Sequence, residues 1–532
     1  MPRPSLSADA LRRRAWLKLG LAGTAMLHPL LRANAQDADA HLQRLPKQAL
    51  VIGNSAYQAA PALENPRNDA RAIAALLQSM GFDAVSSLDA SRAAMRAAID
   101  THVETVARRK CIGLFYFAGH GLQLSWKNYL LPIDARVAST NDVQSQAIEL
   151  NALMSGLTRA GNPMNIVLLD ACRDNPFGDA LKTEKGLSQM DAPVNSILGY
   201  ATAPGNVASD GSGKNGLYTG QLLREMKVPG ARIEDVFKRV RLAVRRESNG
   251  AQIPWESTSL EEDYYFVPPA NTGPASAEDR TRQFDTELKL WESIQASRSA
   301  APFEDYLRRF PSGRFAELAQ LELDQALARQ GEKRVEIAPE TGNPYTAGSA
   351  RANTVHTVGD VYRFRQYDRD SGAFKRAFTN TVTGITDREV VYNGGTFITD
   401  LLGNIVRYGD GRRSTGSQAI PLEYAVGRQW ATRYLSTSAK GMDFNTELEY
   451  RITAREKLTV GAGTFDAYHV EGKGKSFAVS GQANVDVTSS FWMAPQVCHT
   501  TIRREVTRKL YRRGTPELLE NDRYELDFFR QA

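Results

Sequence analysis

Two residues whose chemistry could produce a nucleophile follow apolar runs of the sequence. Cys172 ends one such run in "LLDACRDNPF", and His120 follows another in "FYFAGHG". A thiol is mostly protonated at neutral pH, and a neighbouring imidazole can take up its proton and leave a thiolate nucleophile. Taken singly, the cysteine is readily explained as buried filler and the histidine as a turn residue. Together they indicate a catalytic pair, if the fold brings them to one place.

The elements around this pair predict such a fold. Between about residues 48 and 265, runs typical of buried strands alternate with helical patterns. This alternation predicts an α/β domain whose mostly parallel sheet has helices on both faces. The predicted strands are "QALVIGN", "DAVSSL", "CIGLFYFAG" and "MNIVLLDA". Because chemistry in such sheets gathers at the carboxyl ends of the strands, we expect His120 and Cys172 at the same edge.

Three helices are predicted between these strands. The first has Asn65 as its cap and Pro66 at its first position, and it closes at Gly81. The second covers residues 91–109, and the third lies around residues 150–159. Strands separated in this way by helices favour parallel pairing.

The glycines beside His120 predict a site for an oxyanion. Glycine lets the backbone turn sharply and approach a bound substrate closely. The backbone amides of Gly121 and Cys172 could then point at the negative charge that develops on a carbonyl oxygen under attack.

Six segments of the α/β region occur in a characteristic order. They are "ALVIGN", "NPRNDARAIAALLQSMGF", "YFAGHG", "YLLPIDA", "LLDACRDNPF" and "GYATAPGNVASDGSGKNGLYTGQLL". In this order they resemble the bacterial caspase-like peptidases, in the branch nearest the metacaspases, and caspases place their histidine about 50 residues before the cysteine. The resemblance covers residues 48–267. It implies a cysteine peptidase that cuts after one type of charged residue, with His120 as general base and Cys172 as nucleophile.

The resemblance also implies a pocket for a substrate arginine or lysine. The acids that line this pocket in metacaspase-like relatives match Asp170, two residues before the cysteine, and Asp69, after the first strand. A buried carboxylate is costly unless it is paired, and a cationic substrate side chain would supply the partner. The alternative is structural, with a cap or loop contact for Asp69 and bonds to nearby backbone amides for Asp170.

Two departures from the family pattern concern specificity and calcium. Ala118 stands where metacaspases usually carry a serine, which removes a hydroxyl from the pocket. Their acidic calcium-binding segment is matched here only by "QAIELNAL", in which Glu149 is the sole acid, although Asp134 in "LLPIDA" keeps one matching acid. We therefore expect no cofactor and no metal site, and the sequence gives little support for calcium dependence.

The rest of the chain predicts two further parts. A linker at 267–279 leads into a helical stretch, 280–330, whose "FEDYLRRFPSGRFAELAQLELDQAL" predicts one helical hairpin similar to a single tetratricopeptide-like unit. Such a pair cannot bury its own apolar face, so we expect it to pack on a neighbour. A second polar linker, 339–354, precedes alternating Val, Tyr, Thr and Phe runs that predict antiparallel strands. These runs weakly resemble the curved-sheet modules of bacterial envelope proteins, and what the β domain binds stays open.

The predicted domain boundaries follow from these changes in composition. They are 1–35 for an export signal, 36–268 for the caspase-like peptidase domain, 269–345 for the linker with the helical hairpin, and 346–532 for the antiparallel β domain.

Histidines and cysteines outside the catalytic pair show no spacing typical of a metal site. In the β region these residues are His356, His469, Cys498 and His499, and we expect structural roles for them. Cys111 opens an apolar run and is also expected to be a small buried residue. An odd number of cysteines leaves at least one unpaired where disulfides can form.

The first 35 residues predict export. The stretch "RRRAWLKLGLAGTAMLHPLLRANA" combines paired arginines, a short apolar run, and small residues at Ala33 and Ala35. It resembles the twin-arginine signals that carry folded proteins out of the bacterial cytoplasm, which predicts a periplasmic or otherwise exported protein. A membrane anchor is the weaker interpretation, because the apolar run is shorter than the about 20 residues that a span needs.

Net charge gives no sign of a nucleic-acid partner. The chain carries +6, but its first 35 residues hold six Lys or Arg and one Asp. Without them the net charge is about +1, which requires no anionic partner. We expect protein or peptide substrates, no nucleic acid, and no transmembrane span after signal removal.

The polar segment 183–196 has two interpretations. With Lys182 and Lys185 it has the composition of an intersubunit loop that could be cut. The simpler interpretation is a solvated surface loop.

Three functional hypotheses remain. The leading one is an exported cysteine endopeptidase of caspase or metacaspase type that cleaves after Arg or Lys through a His120–Cys172 dyad. The second is an inactive caspase-like scaffold of the cell envelope, although an idle pocket has no need of acids that match a cationic substrate. The third is an amide hydrolase other than a peptidase, which only the acidic pocket separates from the first.

Overall fold

The computed structural model describes residues 41–172, 176–177, 186–203, 213–270, 277–332, 342–438, 441–479, 484–512 and 515–532. The predicted export signal, 1–35, and both lysines near residue 183 lie outside these ranges. No helix in the described part of the chain is long and apolar enough to cross a lipid bilayer.

The first part of the chain is an eight-stranded sheet covered by helices. Its strands are β1 (Lys47–Gly53), β2 (Asp83–Leu88), β3 (Ile112–Leu124), β4 (Lys127–Leu130), β5 (Ile148–Glu149), β6 (Met164–Cys172), β7 (Ser196–Tyr200) and β8 (Trp255–Thr258). Its helices are α1 (His41–Arg44), α2 (Pro66–Ser79), α3 (Arg92–Arg109), α4 (Thr140–Gln146), α5 (Leu150–Ala160), α6 (Leu217–Glu225) and α7 (Ile233–Glu247). The strand order is β2-β1-β3-β6-β7-β8, with β4 and β5 attached beside β3. All pairs along this path are parallel except β7–β8, which confirms the predicted α/β class.

Helices cover both faces of this sheet because alternate residues of each strand point to opposite sides. In β1, Ala49 and Val51 pack in the core beneath α2, α6 and α7. Leu50 and Ile52 pack in the other core, beneath α3 and α5. The strands are therefore buried on both faces, which explains their nearly continuous apolar sequences.

The helix ends lie where the sequence predicts them, but their capping hydrogen bonds differ from one helix to the next. Helix α2 begins at Pro66, and the chain turns at Gly81 with φ +82°. Asn65 occupies the N-cap position, as predicted, although its φ is −92° and its side chain makes no capping hydrogen bond. Ser91 does cap α3, since its hydroxyl accepts a hydrogen bond from Ala94 N at 3.3 Å.

Strand β3 extends beyond its predicted end at Gly119. It continues through His120 to Leu124, and positive φ angles at Ser125 and Trp126 turn the chain into β4. Two residues with positive φ form the kind of tight turn that suits a β-hairpin. As a result, His120 is held inside a sheet and not in a loop.

The helical segment contains one helix more than the predicted hairpin. Helix α8 (Ala277–Ile294) precedes the pair α9 (Ala301–Arg309) and α10 (Ala316–Arg329). Trp291 of α8 stacks on Phe315, with ring centroids 5.2 Å apart and planes 2° from parallel. The added helix thus covers part of the apolar face that the pair cannot bury alone.

Part of the second predicted linker, residues 343–347, is packed against the α/β domain. Asn343 Nδ2 donates a hydrogen bond to Ser188 Oγ at 2.8 Å. Thr346 Oγ1 and Ala347 N both donate to the Asp191 carboxylate, each at 2.6 Å. This stretch is therefore a docked segment.

The segment beneath this docked stretch is not solvated. Leu187, Ser188, Gln189 and Met190 are all buried. The interpretation of 183–196 as a solvated loop is therefore wrong for these residues, because the docked segment covers them.

The last part of the chain is the predicted antiparallel domain. Its described strands are β9 (Ser349–Arg351), β10 (Val361–Asp368), β11 (Phe374–Ile385), β12 (Glu389–Tyr392), β13 (Phe397–Asp400), β14 (Ile405–Tyr408), β15 (Ser414–Thr415), β16 (Glu423–Ala425), β17 (Gln429–Thr437), β18 (Asp443–Val460), β19 (Gly463–Ala478), β20 (Asn484–Met493), β21 (Thr501–Arg512) and β22 (Thr515–Arg530). Twelve of them form one sheet, β14-β13-β12-β11-β10-β22-β21-β20-β19-β18-β17-β15, while β9 pairs with β16. The final strand β22 therefore lies beside β10, the first strand of the large sheet along the chain.

Buried and partly buried ion pairs join the three parts. Arg241 of α7 contacts Glu256 at 2.6 Å and also Glu423 of the β domain at 3.2 Å. Arg245 contacts Asp324 of α10 at 2.5 Å. The α/β domain, the helices and the β domain thus share charged contacts.

Candidate active site

The structure places the backbones of His120 and Cys172 side by side. In the parallel pair β3–β6, these two residues are in register at the last position of the paired run. Neighbouring strands lie about 4.8 Å apart, so one strand spacing separates the two positions. The shared edge expected from the sequence is therefore present.

Residues after β1 hold the His120 ring in place. The ring is buried, and its Nε2 lies 2.8 Å from the carbonyl oxygen of Pro61. The Tyr57 ring packs against it, with ring centroids 4.5 Å apart. The Tyr57 hydroxyl also accepts a hydrogen bond from His120 N at 2.8 Å and donates one to Leu131 O at 3.3 Å.

The contact with Pro61 fixes the tautomer of His120. A carbonyl oxygen can only accept a hydrogen bond, so Nε2 carries the proton and Nδ1 is the basic nitrogen. A base oriented by a third group is the usual arrangement behind an activated nucleophile. Here the orienting group is a backbone carbonyl.

Close packing explains both glycines beside the histidine. Gly119 has φ +153°, and a Cβ at this position would lie 2.5 Å from the Tyr57 hydroxyl. A Cβ on Gly121 would lie 3.1 Å from Ala171 Cβ and 3.2 Å from Leu187 Cδ2. The backbone at Gly121 therefore passes close to the end of β6. An oxyanion site formed by the amides of Gly121 and Cys172 requires such proximity. The use of these amides as an oxyanion site stays a prediction.

The two predicted pocket acids converge on Gly216. A Cβ built on Gly216 would lie 3.1 Å from Asp69 Oδ2 and 3.4 Å from Asp170 Oδ2. Asp69 is buried in the first turn of α2, where its Oδ1 accepts hydrogen bonds from Asn215 Nδ2 at 2.8 Å and Gly216 N at 3.0 Å. Asp69 thus makes the loop contact of the structural alternative and also faces its partner acid.

A chain of hydroxyls anchors the second acid. Thr219 Oγ1 donates to Asp170 Oδ2 at 2.6 Å, and Tyr116 Oη lies 2.6 Å from the same Thr219 oxygen. Burial, followed by the charges of Asp170 and Asp69, raises the pKa of Tyr116 well above its usual value, so the phenol keeps its proton. Ala118 is buried on β3 in register with Asp170 and adds no hydroxyl. Two carboxylates, from Asp69 and Asp170, therefore lie close together beside Gly216.

The acids that match the calcium segment have other partners. Asp134 Oδ1 accepts a hydrogen bond from Arg92 N, at the start of α3, at 2.8 Å. Glu149 forms an ion pair with Lys127 at 3.0 Å. Each carboxylate thus has a structural contact within the α/β domain.

The other two cysteines are poor nucleophiles. Cys111 and Cys498 are buried and form no disulfide. Burial raises the pKa of the Cys111 thiol, and it raises the pKa of Cys498 to about 12. Both residues fit the buried structural role expected of them.

The histidines of the β domain have two different environments. His469 stacks on Trp492, with ring centroids 4.2 Å apart. His356 and His499 lie together with Asp360, a proximity that their spacing in the sequence did not indicate. The expectation of purely structural roles for these histidines stays a prediction.

Sequence reasoning missed the residues that support the site. Tyr57 follows the carboxyl end of β1, so the edge argument that selected His120 could have selected it. Pro61 acts through its carbonyl, which no residue type reveals. Asn215 and Thr219 flank the start of α6, where polar side chains are usual and carry no specific signal.

Comparison with known proteins finds a family model and two relatives that this chain resembles. Residues 46–265 match the family model of the Peptidase C14 caspase domain. The chain is 30% identical over 161 residues to the human "Mucosa-associated lymphoid tissue lymphoma translocation protein 1", which covers 30% of this chain and 19% of that protein. It is 28% identical over 243 residues to the mouse homolog, which covers 44% of this chain and 28% of that protein.

The family match covers only the α/β part of the chain, and each of the two relatives matches less than half of the chain. The alignments span less than a third of the length of both relatives. They support a caspase-like domain at residues 46–265, while a closer relationship to metacaspases stays a prediction.

Proposed function

We propose that this chain is a cysteine endopeptidase with Cys172 as nucleophile and His120 as general base. The observation that carries the proposal is the register of these two residues at the last position of the parallel pairing between β3 and β6. It occurs inside a domain that matches the caspase family. Because the Nε2 proton of His120 is donated to Pro61, Nδ1 is the nitrogen that accepts the thiol proton.

The reaction is an acyl transfer in two halves. Nδ1 of His120 removes the proton from Cys172 Sγ, and the thiolate attacks the carbonyl carbon of the scissile bond. The backbone amides of Gly121 and Cys172 stabilise the oxyanion. The imidazolium then protonates the leaving amine, and an acyl-enzyme remains. A water molecule, deprotonated by Nδ1, hydrolyses the thioester and restores the thiol.

The residue before the scissile bond is Arg or Lys in this proposal. Asp69 and Asp170 flank one point beside Gly216, and a cation there would form charge-assisted hydrogen bonds with both. A substrate aspartate would be repelled. Since Asn215 and Gly216 already bind Asp69, this loop must share the carboxylate or shift when substrate enters.

The proposed enzyme works outside the cytoplasm on proteins or peptides. The support is the twin-arginine-like pattern of the first 35 residues together with the small residues near Ala35. The substrates would then be proteins or peptides of the bacterial periplasm or of the exterior.

A panel of fluorogenic peptides tests the proposal. Peptides with Arg, Lys, Asp or Leu before the scissile bond are incubated with the mature protein and with Cys172→Ala, His120→Ala and, as a matched control, Cys111→Ala. We expect turnover of the Arg and Lys peptides by the parent and by Cys111→Ala only, with unchanged circular dichroism in all variants. Turnover by Cys172→Ala or His120→Ala would contradict the dyad.

A further inference from the structure

The β domain contains a cluster of side chains that the proposed peptidase reaction does not use. His356 and Asp360 lie just before β10, and His499 lies in the turn between β20 and β21. One potential ligand atom from each residue lies within 4.8 Å of the others. His499 Nδ1 is 3.8 Å from Asp360 Oδ2, and the two imidazole rings are 4.8 Å apart between centroids.

Most of the cluster is shielded from water, yet two of its nitrogens lack hydrogen-bond partners among the described residues. Asp360 and His499 are buried; His356 is partly exposed, although its Nδ1 atom is not. Within the described ranges, neither His356 Nδ1 nor His499 Nε2 has a hydrogen-bond partner. Buried polar atoms are nearly always paired, so these two nitrogens call for a partner.

The outer nitrogen of His356 is already committed. Its Nε2 lies 2.9 Å from the carbonyl oxygen of Leu401, so Nε2 carries the proton and Nδ1 presents a lone pair. A histidine that binds a metal typically donates its other ring N–H to a carbonyl or a carboxylate. His356 has this arrangement before any ion is considered.

Asp360 is oriented by the backbone on both sides. Its Oδ1 accepts a hydrogen bond from the N–H of Ala532 at 2.9 Å, and its Oδ2 accepts one from Thr357 N at 3.1 Å. Tyr362 Oη lies 3.4 Å from the same Oδ2. These contacts hold the carboxylate beside the two imidazoles.

We propose that His356, Asp360 and His499 bind a divalent transition-metal ion, and that Zn²⁺ suits them best. Two imidazoles and one carboxylate are ligands that Zn²⁺ uses in proteins, and a fourth position would remain for water. Zinc–ligand bonds of about 2.0–2.2 Å place the ligand atoms of one tetrahedral ion roughly 3.4 Å apart. The ligand atoms, which lie within 4.8 Å of one another, would therefore have to move closer together through side-chain rotation to bind one ion.

The ion would cross-link segments of the β domain that are distant in sequence. It would join the segment that enters β10 to the turn that enters β21, and through Asp360 to the last residue of the chain. The same segment follows the stretch 342–347 that docks on the α/β domain. Metal binding is therefore expected to stabilise the β domain, with no direct part in peptide hydrolysis.

Zinc binding tests this proposal on the full mature chain carrying Cys172→Ala, so that the proposed thiol–imidazole pair does not contribute. The ion is titrated against a chromophoric chelator, and Co²⁺ is used to obtain a ligand-field spectrum. We expect one Zn²⁺ per chain and a higher melting temperature with the ion. Asp360→Asn and His356→Gln should each weaken binding by at least the roughly 10–100-fold that losing an outer partner costs. His469→Gln, in the same domain but outside the cluster, should bind as the parent does.

Other outcomes would overturn the metal site. A folded parent that binds no Zn²⁺, or one that binds it as tightly as Asp360→Asn and His356→Gln do, would show that the cluster is only a packed polar group. His356 is partly exposed, so its replacement keeps the test available even if His499→Ala fails to fold. Because the background lacks the nucleophile, the result is independent of peptidase activity.

Discussion

At the residue scale, the base of the candidate site is defined by its contacts with the backbone. The Pro61 carbonyl fixes the proton of His120 on Nε2, and the Tyr57 hydroxyl binds the backbone N–H of the same histidine. Neither contact concerns the nitrogen that accepts a proton from the thiol. Both contacts therefore position the histidine, and we assign the proton transfer to Nδ1.

The first prediction concerns Tyr57→Phe. The change removes the acceptor of the His120 N–H and leaves that group buried without its partner, a loss of about 1–3 kcal/mol. We expect kcat for an arginine peptide to fall by roughly tenfold, at 1.4 kcal/mol per decade, while KM changes little. Exposed Tyr511→Phe serves as the control. A lower melting temperature with unchanged kcat would mean that Tyr57 supports the fold alone.

A second prediction concerns charge selectivity. Asp170→Asn keeps the shape of the pocket but removes one charge, and a charge-assisted hydrogen bond contributes about 1.5–3 kcal/mol. We expect kcat/KM for an arginine peptide to fall by about one to two orders of magnitude, and that for a leucine peptide to change much less. Equal losses on both peptides would mean that Asp170 supports the catalytic loop. Preference of the parent for aspartate would refute the pocket.

The sequence predicts the residue types of this site better than its supporting contacts. His120 and Cys172 follow apolar runs, and parallel topology alone puts them at one edge. The acids Asp69 and Asp170 could be named only through resemblance to a family. The Pro61 carbonyl could not be predicted, because backbone acceptors are present at every position.

At the element scale, the sequence predicts the buried strands well, but it does not predict how far β3 continues beyond its apolar run. The apolar cores of β1, β3 and β6 identify them, since strands covered on both faces need continuous apolar residues. The continuation of β3 through "GHGLQL" breaks that pattern, and its turn uses Ser125 and Trp126 where glycine or asparagine would be expected. Helix α8 lies mostly within the stretch 280–330 that the sequence predicts to be helical, but the helical periodicity of that stretch does not separate it from the hairpin.

Helix α3 carries a pH-sensitive group that gives a third prediction. Burial lowers the pKa of His102 to about 4, and among the described residues neither ring nitrogen has a hydrogen-bond partner. Below pH 6.5 the unfolded chain binds a proton that the folded chain does not, so this group costs stability progressively as the pH falls from about 6.5 to about 4. At pH 5 the loss is about 2 kcal/mol relative to pH 7.

The variant His102→Leu removes this loss. We expect its free energy of unfolding, measured in urea, to exceed that of the parent by a margin that grows between pH 7 and pH 5. Exposed His41→Leu should show no such growth. Parallel pH dependence of the parent and His102→Leu would exclude a buried neutral histidine.

At the scale of the whole molecule, the α/β domain, the helices and the β domain are held together by contacts that no local sequence pattern predicts. Arg241 bridges the α/β domain and Glu423 of the β domain, and Asn343 anchors the segment between them. His356 and His499 lie close together in space although most of the β-domain sequence lies between them. Such long-range contacts depend on strand register, which composition and periodicity do not specify.

The fourth prediction concerns export. The paired arginines and the small residues before Gln36 predict that the protein is found in the periplasm with its amino terminus near Ala35. Arg13→Lys combined with Arg14→Lys should retain it in the cytoplasm, and Arg32→Lys should not. Cell fractionation and mass spectrometry of the amino terminus measure both. A full-length amino terminus on periplasmic protein would indicate a retained anchor.

The central claim is that Cys172, activated by His120, attacks a carbonyl held beside an acidic pocket. Its most direct test is covalent labelling of the mature protein by a peptidyl chloromethyl ketone whose last residue is arginine, from which the thiolate displaces chloride, with the labelled residue located by mass spectrometry. We expect one label per chain on Cys172, none in His120→Ala, and far less with an aspartate inhibitor. Labelling of Cys111 or Cys498 instead, or equal labelling by the arginine and aspartate inhibitors, would contradict it.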